Sequence, residues 1–151
     1  MIKRTRGPLL DAEIAIRLFG WSWCRCEYIG PSHVPRPVIK MKLLSARAIE
    51  DVRSGWKVLE SNIDHTDTRQ EWTPRYSQDI AAAWQVVEKL LADGFGVYLT
   101  RHDDSNEWNC TIGRGDKING EIAEAVATTA PVAICRAALL AVAEVVKGTN
   151  G

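Results

Sequence analysis

Cys24, Cys26, Cys110, Cys135, His33, His65 and His102 are the side chains in this chain whose types could hold a metal. A zinc ribbon or finger brings its ligands in C-x2-C pairs, and here Cys24 and Cys26 are separated by a single residue. No metal site is expected. Cys135 falls in an apolar run, where a thiol packs as a small hydrophobe. Nucleophilic catalysis fares no better, because there is no G-x-S-x-G elbow and no Cys–His pair in a familiar setting. His102, followed by Asp103 and Asp104, offers acid–base groups, yet "RHDDSNEW" reads more simply as the polar tip of a hairpin. The loop "GRGDKING" lacks both the P-loop and the dinucleotide fingerprint. Arg114, between two glycines, could still reach a phosphate with backbone N–H groups assisting. No catalytic residue and no cofactor are expected.

Binding chemistry is better represented. In "EWTPRYS", Trp72, Arg75 and Tyr76 crowd the start of a helix, whose N–H groups and dipole favour anions. An indole there could stack on a base while a guanidinium pairs with a phosphate. The competing reading is that these residues merely cover the helix end. In that reading Ser77 is the N-cap, Asp79 answers the dipole, and Tyr76 is a hydrophobic staple on Ile80 or Ala81. Arg136 stands in an otherwise apolar helix, where an arginine is rarely buried unless paired. Asp79 or Glu88 could satisfy it; facing a pocket, it would be an anion ligand. The candidate ligand-binding set is therefore Trp72, Arg75, Tyr76, Arg114 and Arg136.

The elements that must position these groups follow from periodicity. "GPLLDAEIAIRLFG" predicts a helix entered through Gly7 and Pro8, with Leu10, Ile14 and Leu18 on one face and Asp11, Glu13 and Arg17 elsewhere. "SQDIAAAWQVVEKLLADG" predicts a second helix with Ile80, Trp84, Val87 and Leu91 as its buried stripe. "FGVYLTRH" and "EWNCTIG" read as a hairpin. "NG" at Asn119–Gly120 would fold "EIAEAVAT" back as a third strand, with Ile122, Glu124 and Val126 on one face. Thr129 and Pro131 open a last helix that is apolar on most of its circumference. From Trp21 to Gln70 the signal weakens. "WSWCRCEY" is a candidate strand, "GPSHVPRPV" an extended loop, and "SARAIEDVRSGWKVLES" has Ile49, Val52 and Trp56 at helical spacing behind Ser45.

Bulk properties narrow the field further. At 151 residues the chain suits one domain, burying roughly 70% of its unfolded surface without help from metals or disulfides. Equal counts of 19 basic and 19 acidic residues argue against a nucleic-acid partner, and the Lys3–Arg4–Arg6 cluster is too short to act as an arm. No apolar run reaches the ~18 residues of a membrane span, and "MIKRTRG" is no signal peptide. A cytoplasmic protein with reduced thiols is expected.

"LDAEIAIRLFGW", "YSQDIAAAWQVVEKL" and "TAPVAICRAALLAV" resemble the three signatures of the phage ABA sandwich family, in the family's order. These are small bacteriophage and prophage proteins. The resemblance implies an α+β helix–sheet–helix sandwich, with helices on a three-stranded antiparallel sheet, working in the host bacterial cytosol. It implies no reaction, since fold does not fix function. Residues 24–70 match none of these signatures and are expected to be a variable insertion or decorated loop. The functional expectation is a phage accessory protein that binds rather than catalyses, sequestering a host immune nucleotide signal as an anti-defence sponge. The alternative is a protein-interaction module or inhibitor of a host protein, working through residues 24–70 and showing an exposed apolar patch there. A homo-oligomer is also open, because the last helix, Trp21 and Trp23 could bury a subunit interface.

Overall fold

Leu10, Ile14 and Leu18 are the buried face of α1 (Gly7–Phe19) in the computed structural model of the protein. Residues 7–30, 38–50, 55–66, 73–114 and 121–149 are described. Gly20, at φ +74°, closes α1 in the left-handed conformation that glycine adopts without strain. Then follow β1 (Ser22–Tyr28), β2 (Val38–Leu44), α2 (Ala46–Glu50), β3 (Trp56–Ile63), α3 (Ile80–Ala92), β4 (Phe95–His102), β5 (Glu107–Arg114), β6 (Glu121–Ala127) and α4 (Ala130–Thr149).

The expected meander is present as an antiparallel sheet in the order β4-β5-β6. Its register sets Val97 beside Ile112 and Ala123, and Leu99 beside Cys110 and Ala125. These side chains make one face of the sheet and join the main core. α3 packs on β4, α4 on β5 and β6, and α1 on α4 with a smaller contact to α3. The mixed α+β sandwich expected from the sequence is what forms. On the other face of the sheet Tyr98, Thr100, Glu124 and Val126 are exposed, and Asn109 donates to Glu124 at 2.6 Å. The Asn119–Gly120 turn lies outside the described residues.

Residues 24–70 hold more regular structure than the decorated loop anticipated there. Their described part forms most of a second antiparallel sheet, in the order β2-β1-β3, together with α2. Trp23 and Leu43, with Met41 and Ile63, join the main core from one face of this sheet. The opposite face has its own small cluster of Cys24, Cys26 and Leu44, packed against Ala48, Ile49, Trp56 and Val58. Ser45 does cap α2, accepting from the Ala48 N–H at 3.1 Å. The helical spacing of Ile49, Val52 and Trp56 misled, however. Gly55 turns the chain at φ +99°, and Trp56 opens β3; Val52 lies outside the described residues.

The helix beginning near Ser77 needs a larger correction. It starts at Ile80, with Asp79 as N-cap accepting from the Ala81 N–H at 3.0 Å. Its buried face is Ala82, Ala83, Val86, Val87 and Leu90, so of the expected stripe only Val87 is inside. Trp84, read as core from the sequence, is 53% exposed. The cause is that the inward face, packed against β4 and α4, is built from the smaller side chains Ala82, Ala83, Val86 and Val87 with Leu90, so bulk does not mark the buried side.

Candidate functional site

Asp11 is the group that organises the start of α3. Assigned to the outer face of its helix by spacing, it is instead 3% exposed. Its Oδ1 accepts from the Ser77 N–H at 2.7 Å and its Oδ2 from the Gln78 side-chain amide at 3.2 Å. Ser77, also buried, donates from Oγ to the Gly7 carbonyl at 3.3 Å. The N–H groups of Gln78 and Asp79 both turn back onto the Arg75 carbonyl, at 3.0 and 2.9 Å. Two carboxylates and one carbonyl thus take the N–H groups of Ser77, Gln78, Asp79 and Ala81. A phosphate at this helix end would meet occupied donors and two negative charges.

Tyr76 is buried and cannot serve as an accessible ligand contact. It stacks on Phe19 with ring centroids 5.3 Å apart and planes within 8°, in place of the expected staple on Ile80 or Ala81. Burial, then the nearby Cys135 and Asp11, push its hydroxyl up to about 12. Arg75 is exposed on the turn, Arg114 is exposed at the end of β5, and Trp72 lies outside the described residues. No hydrogen bond or ion pair joins Arg75, Arg114 and Arg136 among the described residues. Arg136 makes neither of the ion pairs expected with Asp79 or Glu88. It is half-buried on α4, and its Nε is fully shielded with no hydrogen-bond partner.

All four cysteines are buried free thiols. Burial pushes Cys110 up to about 12 and raises Cys135 further, with Asp11 and Cys110 adding to the latter. Cys24 and Cys26 are raised as well, chiefly by burial. Thiols held neutral in this way are poor nucleophiles and poor metal ligands. Among the described residues no cluster of three or more His, Cys, Asp or Glu could hold a metal ion.

Apolar surface is where the structure departs from an inert fold. Ile29, Ile39 (51% exposed) and Leu59 stand out from the first sheet. Ile39 lies opposite Glu27 on β1, which is paired in turn with Lys57 on β3. The neighbouring rung carries the exposed Arg25–Glu60 ion pair, at 2.9 Å. This part of the sheet thus offers an apolar and charged rim beyond the end that packs into the main core. A second exposed group, Ile80, Trp84 and Leu91, runs along α3. Sequence reasoning named the members of that group but assigned them to the core.

The sequence profile of the Phage ABA sandwich domain matches residues 13–139, and the chain belongs to that family. The match runs straight through the 24–70 segment. The chain is also similar in fold to a phage protein from Bacillus cereus ATCC 14579, whose crystal structure was determined at 2.0 Å. That likeness has a TM-score of 0.52 and 23% identity, over 92% of this chain and 94% of the other. No curated protein matches the sequence. No helix among the described residues is long and apolar enough to cross a membrane.

Proposed function

We propose that this phage protein works by binding another protein, without catalysing a reaction, and that the first sheet presents the binding surface. The observation carrying this reading is the exposed trio Ile29, Ile39 and Leu59 beside the charged rungs of β1, β2 and β3. Apolar side chains rimmed by charge are the composition of a docking surface. An exposed patch within residues 24–70 is also what the protein-interaction alternative required. The sponge reading loses two supports: Tyr76 is buried, and the donors at the start of α3 are already engaged.

A second reading keeps ligand sequestration but moves it to Arg136. A half-buried guanidinium with a shielded, unpartnered Nε is costly without an anion. One experiment separates the two. The protein is screened by thermal shift against linear and cyclic nucleotides, alone and as Arg136→Ala. A ligand at ~100 times its Kd adds about 2.7 kcal/mol of stability. A flat response is expected. A stabilising nucleotide whose effect disappears in Arg136→Ala overturns the protein-binding reading. In parallel, a host protein retained by the wild type and released by Ile39→Asp with Leu59→Asp locates the surface.

A further inference from the structure

We draw no further inference here: the strongest candidate, the exposed flank of α3 formed by Ile80, Trp84 and Leu91, is an unpartnered apolar face, and nothing in the structure shows what covers it.

Discussion

Removing the Asp11 carboxylate tests how α1 holds the start of α3. Asp11→Ala deletes the acceptor 2.7 Å from the Ser77 N–H and 3.2 Å from the Gln78 side chain. Ser77 is buried, so its N–H is stranded rather than handed to water. A hydrogen bond to a charged group contributes about 1.5–3 kcal/mol, and a stranded buried donor costs about 1–3 kcal/mol. The Gln78 bond is exposed enough for water to replace it and adds little. The expected loss is therefore about 3 kcal/mol, or roughly 6–12 °C in Tm for a chain of this size. Asp11→Asn keeps an oxygen for Ser77 and should lose about 1 kcal/mol, since one neutral bond replaces a charge-assisted one. Urea unfolding followed by circular dichroism measures both. Asp79→Ala is the reference: it removes a solvent-exposed cap and should cost about 1 kcal/mol. If Asp11→Ala loses less than Asp79→Ala, the clamp between α1 and α3 is not what holds this turn.

Two further outcomes follow from the buried polar groups. Replacing Arg136 by Met should leave Tm unchanged or raise it, because an unpartnered half-buried guanidinium contributes no attraction to lose; a fall of more than about 2 kcal/mol would reveal a counter-charge. Alkali should destabilise the fold in a defined window. Cys110 is raised from 9.0 to about 12, Tyr76 from 10.0 to about 12, and Cys135 is raised as well, so the folded state favours their neutral forms. That stability is whole below pH 9 and is lost as the pH climbs from 9 towards 12, the Cys110 share alone being on the order of 4 kcal/mol. Urea midpoints taken from pH 7 to pH 11.5 check it, and a flat profile to pH 11 would refute the assignment. In the same samples a thiol reagent at pH 8 should titrate none of the four cysteines until the protein unfolds.

The sequence was legible where large apolar residues mark the inside and illegible where the core is built from something smaller or from both faces. Leu10, Ile14 and Leu18 announce α1, and β4 through β6 alternate as half-buried strands do, so the α+β sandwich could be read in advance. α3 misled because its interior is built from small side chains such as Ala82, Ala83 and Val86; a rule that follows bulk then selects Ile80, Trp84 and Leu91, the flank that faces out. The candidate strand in "WSWCRCEY" forms as β1, but Ser22, Trp23 and Cys24 are all buried, because one face meets the main core and the other its own cluster, so the pattern did not show that both faces are covered.

Asp11 was hidden for a different reason. Its partner Ser77 lies 66 residues away, and neither residue has local company that signals the other. Seen alone, the "YSQD" cluster invites a ligand because its polar groups look unspent. Within the fold, Tyr76 is taken by Phe19, the Ser77 N–H and the Gln78 amide by Asp11, and the Ala81 N–H by Asp79. A short-range reading overestimates free donors at a helix start in just this way, because any acceptor supplied from another element is invisible to it. The residues the local pattern had assigned to the interior, Ile80, Trp84 and Leu91, are instead the exposed flank of α3.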